Sequence, residues 1–157
     1  MRTLITGMSG TGKSTLTMAL ATRGYHAVDL DAPAWSEYRT VPGGGREWIW
    51  RDARVRELLE APAGDPFVVS GCASNQRSFY PFFDEIVLLT APLHVMLARL
   101  ATRTTNNYGK SPEDLKEVIE NHRTIEPLLR NVATREIDTT APLEECIARI
   151  VSLTESR

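Results

Sequence analysis

At 157 residues with a formal net charge of −2, the chain suits one domain with a sizeable core, and it offers no global attraction to nucleic acid or to an anionic membrane. No apolar run approaches the ~20 residues of a membrane span, and no basic-then-apolar leader precedes the first strand. Cys72 and Cys146 are far apart, and His26, His94 and His122 are scattered, so the expectation is a cytoplasmic domain with free thiols and neither a disulfide nor a metal cluster.

In chain order, residues 3–6 read as a strand, followed at once by Gly7-Met8-Ser9-Gly10-Thr11-Gly12-Lys13-Ser14 and a helix over 14–22 that ends at Gly24. A short strand over 25–28 runs into Asp29-Leu30-Asp31. Residues 32–64 are the least regular, with a Pro42-Gly43-Gly44-Gly45 break and a helix predicted over 47–60. Strands follow at 67–69 and 85–89, then a helix at 93–102 and a polar stretch to Gly109. A helix over 112–130 opens with Ser111 as cap, Pro112 at the first position and acids in the first turn. A strand at 135–138 and an amphipathic helix over 142–153 close the chain. Strands alternating with helices specify a parallel sheet covered on both faces.

The string at 7–14 matches G-x-x-x-x-G-K-[ST], which ordinary residue usage yields in roughly one chain in two hundred of this length. Its position between strand and helix aims backbone N–H groups and a helix N-terminus at one anion. Gly7, Ser9, Gly10, Thr11, Gly12, Lys13, Ser14 and Thr15 are the expected nucleotide-binding residues. Lys13 reaches the β- and γ-phosphates, and Ser14 holds a magnesium ion. The fold class is therefore α/β, a three-layer P-loop NTPase fold with five parallel strands in the order 2-3-1-4-5. Ligands of such a sheet bind beyond the carboxyl ends of the strands. Here those ends carry the loop, Asp29 and Asp31, Ser70 to Ser74, and residues 138–142.

Strand alternation sends Asp29 and Asp31 to one side. One carboxylate can orient metal-bound water while the other accepts a hydroxyl proton; Asp31 can equally cap the helix expected after it. The P-loop, the strand-terminal D-x-D and the absence of an inserted domain resemble the small P-loop kinases of the shikimate kinase and gluconate kinase group. That resemblance implies ATP and Mg2+ as cofactors and a small-molecule acceptor with a hydroxyl or phosphate group. It implies an acceptor-binding segment at 32–64 and a lid at about 99–112. It makes Asp31 the acceptor-side base and Asp29, with Ser14, the metal side. Arg99 and Pro142 then flank the adenine, and Arg103 joins Lys13 in neutralising the transferring phosphoryl group, with Lys110 as a further candidate.

Shikimate kinases carry Gly-Gly-Gly where this chain has Ser70-Gly71-Cys72, so the acceptor stays open. Candidates to meet it are Arg46, Arg51, Arg54, Ser70 and Gly71, with Ser74, Asn75 and Gln76 either reading hydroxyls or capping a helix. Trp35, Tyr38, Trp48 and Trp50 suit a planar ring as well as core packing. The competing functions are a nucleoside or nucleotide kinase and a non-catalytic nucleotide-binding regulator; nucleic acid and membrane are not expected partners, and the chain is expected to be a monomer or homodimer.

Overall fold

The structure, a computed structural model, describes residues 1–62, 64 and 66–156; Ala63, inside the expected acceptor segment, lies outside the described residues together with Asp65 and Arg157. The elements in chain order are β1 (Arg2–Thr6), α1 (Lys13–Thr22), β2 (His26–Asp29), β3 (Ser36–Thr40), β4 (Arg46–Trp50), α2 (Asp52–Glu60) and β5 (Phe67–Ser70). A 3-10 turn (Gln76–Phe82) precedes β6 (Glu85–Thr90), α3 (Leu93–Thr102), α4 (Pro112–Thr124), α5 (Glu126–Val132), β7 (Arg135–Asp138) and α6 (Leu143–Glu155). Among the described residues no helix is long and apolar enough to cross a membrane.

Five strands form one parallel sheet in the order β2-β5-β1-β6-β7. Counting only these five, the order is 2-3-1-4-5, as expected for the P-loop fold class. The central strands are buried on both faces, and their side chains alternate between two cores. Ile5, Val87 and Leu89 pack with Leu16 and Leu20 of α1 and Ile147 and Ile150 of α6. Leu4, Val69 and Ile86 pack on the other side with Val55 and Leu59 of α2, Trp50 and Phe79. Leu88 meets Met96 and Leu100 of α3, Val118 of α4 and Leu129 of α5.

Two helix expectations are corrected. Residues 46–50 are a strand, and the helix expected over 47–60 starts only at Asp52. Glu47, Trp48, Ile49 and Trp50 pair antiparallel with residues 36–39 across the Pro42–Gly45 break, forming a second, two-stranded sheet. Aromatic and β-branched residues favour this, because cross-strand side-chain packing replaces helical contacts. The helix expected over 112–130 is broken at Ile125 into α4 and α5. Pro127 has no N–H for the Arg123 carbonyl, so a continuous helix would leave a gap there.

Candidate active site

The glycine-rich loop is built from backbone. Gly12 holds φ +99° at the N-cap of α1, and the first turn of that helix carries neither a side-chain cap nor an acid. Its leading N–H groups are thus left for an anion. A Cβ on Gly10 would lie 2.8 Å from the Met96 carbonyl, so the loop lies directly against α3. Thr11 is buried, and its hydroxyl donates to the Met8 carbonyl at 2.7 Å. Lys13 folds over the loop and donates to the carbonyls of Gly7 (2.7 Å) and Met8 (3.0 Å). Ser9 is half-buried, while Ser14 and Thr15 are exposed.

The two aspartates have different surroundings. The Ser14 hydroxyl donates to Asp29 Oδ2 at 2.9 Å, so the expected metal pair is brought together. Asp29 Oδ1 accepts the Asp31 backbone N–H at 2.9 Å, which turns the chain and sets the second carboxylate apart from the first. Asp31 Oδ1 accepts the indole N–H of Trp48 (3.2 Å), the indole N–H of Trp50 (3.4 Å) and the Cys72 N–H (3.2 Å). The same Cys72 N–H lies 3.1 Å from Oδ2. Burial among these groups pushes the Asp31 carboxyl above the usual carboxylate range; Lys13, Trp48 and Cys72 pull it back, and Asp29 adds to the rise. Burial also pushes up the Cys72 thiol.

Gly71 shapes this cradle. A Cβ there would stand 2.9 Å from Asp31 Oδ1 and 3.0 Å from the Trp50 indole nitrogen. The β3–β4 hairpin docks onto the loop after β5 through the Ser74 N–H to the Trp48 carbonyl (2.8 Å). The Asn75 side chain imitates a strand, accepting from the Trp50 N–H and donating to its carbonyl, both at 2.9 Å. Gln76 is buried and tied to Thr6, Tyr80 and the Ala73 N–H. Sequence reasoning missed these contacts; the hint was the i, i+2 spacing of Trp48 and Trp50, which puts both on one strand face.

Several expected acceptor contacts lie elsewhere. Ser70 is fully buried, and its hydroxyl accepts from Thr17 at 2.6 Å beneath the loop, because β5 is a central strand with every position buried. Arg51 pairs with Glu37 at 2.7 Å, and Arg54 donates to the Ala34 carbonyl at 2.9 Å. Arg46 stacks 4.0 Å over the Tyr38 ring and reaches Asp114 of α4 at 3.9 Å, linking the hairpin to the far side of the site.

On the nucleotide side, Arg99 bridges two loops. It donates to the Gly10 carbonyl (3.2 Å), the Thr139 hydroxyl (2.9 Å) and the Thr139 carbonyl (2.8 Å). Thr139 in turn donates to the Thr11 carbonyl at 2.7 Å. Pro142 is exposed at the start of α6, three residues on. Arg103 donates to the carbonyls of Asn106 (3.2 Å) and Tyr108 (2.7 Å), holding the 103–109 loop in a turn. Lys110 is exposed and points toward the Ala101 carbonyl, 3.5 Å away.

Residues 4–124 match the family described as AAA domain. The chain belongs to that family. A curated relative of this AAA domain, a "Nucleotide-binding protein" of Chromohalobacter salexigens, is 30% identical over 145 residues, covering 88% of this chain and 47% of that protein. The chain thus spans about half the length of the curated relative it matches. Among solved structures, shikimate kinase from Acinetobacter baumannii in complex with shikimate is similar at a TM-score of 0.68 and 19% identity, over 99% of this chain and 93% of that one. Deoxyadenosine kinase from M. mycoides gives 0.64 and 13%, covering 100% of both chains. A gluconokinase from Sinorhizobium meliloti gives 0.56 and 22%, over 99% and 94%. The AAA domain therefore has the fold of the small P-loop kinases, as its motifs suggest.

Proposed function

We propose that the chain is an ATP-dependent phosphotransferase acting on a hydroxyl or phosphate group of a small molecule. The observation that carries this reading is the division of labour at the end of β2. Asp29 is taken up by Ser14, while Asp31 lies apart, half-buried, with two indole N–H groups and the Cys72 N–H on its carboxylate. A nucleotide-binding protein without an acceptor has no use for that second carboxylate.

For a hydroxyl acceptor, its oxygen attacks the γ-phosphorus and its proton passes to Asp31. The bond between the γ-phosphorus and the β–γ bridging oxygen breaks, and ADP leaves. Lys13 turns from the Gly7 and Met8 carbonyls to the β- and γ-phosphates and stabilises the spread charge. Arg103 is placed by the resemblance to act on the same group from the 99–112 lid. Arg99 and Pro142 border the base, joined through the Thr139 loop. The oxygen-only pair of Ser14 and Asp29 fits a magnesium ion that keeps most of its waters and binds through few protein ligands. Bound there, the ion would neutralise phosphate charge.

The names of the similar structures support two acceptor classes, hydroxylated acids and nucleosides. The name of the C. salexigens relative would also suit a non-catalytic nucleotide-binding module. ADP release from magnesium–ATP, measured across shikimate, gluconate, other polyols, nucleosides and nucleoside monophosphates, separates them. The expected result is one acceptor class that raises turnover by roughly a hundredfold or more, lost in Asp31→Asn while ATP still binds. Slow hydrolysis indifferent to every acceptor and to Asp31 would favour the binding module.

A further inference from the structure

The two indoles that meet Asp31 lie 17 and 19 residues beyond it, on one face of β4, and converge on the same carboxylate oxygen. A carboxylate oxygen has two lone-pair sites. Oδ1, with the two indoles and a share of the Cys72 N–H, is filled; Oδ2 has only its share of that one N–H. We infer that Trp48 and Trp50 are positioning residues for Asp31: they hold Oδ1 and leave Oδ2 as the oxygen that meets the acceptor, so the docked β3–β4 hairpin sets which face of the carboxylate is presented. This rests on the reading of Asp31 as the acceptor-side base.

Indoles suit the task chemically. An indole N–H donates but has no lone pair with which to compete for the acceptor's proton. Neither indole adds charge. The charged and titratable groups acting on Asp31 all come from other elements: Lys13 from the start of α1, Asp29 from β2 and the Cys72 thiol after β5. The hairpin acts through geometry alone. Trp50 is wholly buried and fixed by Asn75, whereas Trp48 is half-buried and set edge-on to Tyr38, 4.7 Å between centroids. Both indoles stand on one strand, so displacing the hairpin would break both bonds together.

The test needs no acceptor. In the full chain the indole N–H resonances of Trp48 and Trp50 are the ones missing from Trp48→Phe and Trp50→Phe. Asp31→Ala removes the accepting oxygen, so both resonances should move upfield together and exchange with solvent about tenfold faster, while that of Trp35 stays in place. Indole resonances that ignore Asp31→Ala in the folded chain, or a Trp35 response equal to theirs, would overturn the inference. The kinase reading fails separately: Asp31→Asn that supports full acceptor-dependent turnover removes the base but leaves the indole hydrogen bonds of the wild type intact.

Discussion

The two sides of the site are built from different materials. The nucleotide side is backbone: a left-handed Gly12, a Gly10 lying against the Met96 carbonyl, and an α1 N-terminus with no side-chain cap. The side proposed for the acceptor is side chain: a carboxylate held by two indoles from a hairpin, itself docked by Asn75. A phosphate is one anion of fixed shape, which backbone N–H groups meet wherever the loop can form. An acceptor must be singled out among many small molecules, and side chains supply that variety at the same strand ends.

Lys13→Ala makes the largest break. It removes the one loop side chain placed to leave its carbonyl partners for phosphate, and turnover should fall about a hundred- to a thousandfold with the circular dichroism spectrum unchanged. A pair of glycines then sharpens the contrast. A methyl at Gly71 would press on Asp31 and Trp50, and one at Gly10 on the Met96 carbonyl. Each should cost about 1–3 kcal/mol, read as a fall of about 2–12 °C in Tm. Gly71→Ala is expected to keep its ATP affinity and lose acceptor turnover, whereas Gly10→Ala loses ATP affinity first. Equal loss of ATP binding in both would mean that the two sides are one mechanical unit.

What could be read in advance follows the same division. The loop is a string of eight residues, and the sheet order and the Ser14–Asp29 pair follow from the fold class that it marks; the structure contains all three. Residues 47–50 carry a helical expectation because the pairing of Tyr38 with Trp48 is not local, and Leu58 and Leu59 lend the stretch a helical spacing. Ser70 looked available because a serine ends an apolar strand; only the neighbours of β5 on both sides make it buried. Arg51 and Arg54 looked free because their partners, Glu37 and the Ala34 carbonyl, come close only once the hairpin folds. No propensity encodes an indole N–H aimed at a carboxylate 17 residues away.

Asp31 carries a smaller effect, legible in stability. Burial raises its pKa in the folded chain. Below the ordinary carboxylate pKa the folded and unfolded states are both protonated, and nothing is lost. As pH rises between that value and the raised one, the folded chain still holds a proton that the unfolded chain has released, so rising pH favours unfolding. Asp31→Asn keeps the shape without the charge. Its Tm should therefore gain on the wild type as pH rises above about 4 and level off once the raised pKa is passed, by about 2–4 °C for each kcal/mol of charge-burial cost. A gap that stays constant as pH rises would mean that the Asp31 carboxylate is ionised in the folded chain at no cost.

The smallest effect belongs to the arginines of the hairpin and α2. Arg51 pairs with Glu37, Arg54 donates to the Ala34 carbonyl, and both stand at the outer base of the hairpin. An exposed pair of this kind contributes about 0–1 kcal/mol, so Arg51→Ala and Arg54→Ala should lower Tm by about 0–4 °C. Because their guanidinium groups brace the hairpin rather than face Asp31, the acceptor KM should stay within about twofold, while a lost bidentate ion contact would change it about tenfold or more. A tenfold rise in KM at either position would return these arginines to the acceptor and make that side anion-binding. An unchanged KM leaves recognition to Asp31, the indoles and the Tyr38–Arg46 end of the hairpin.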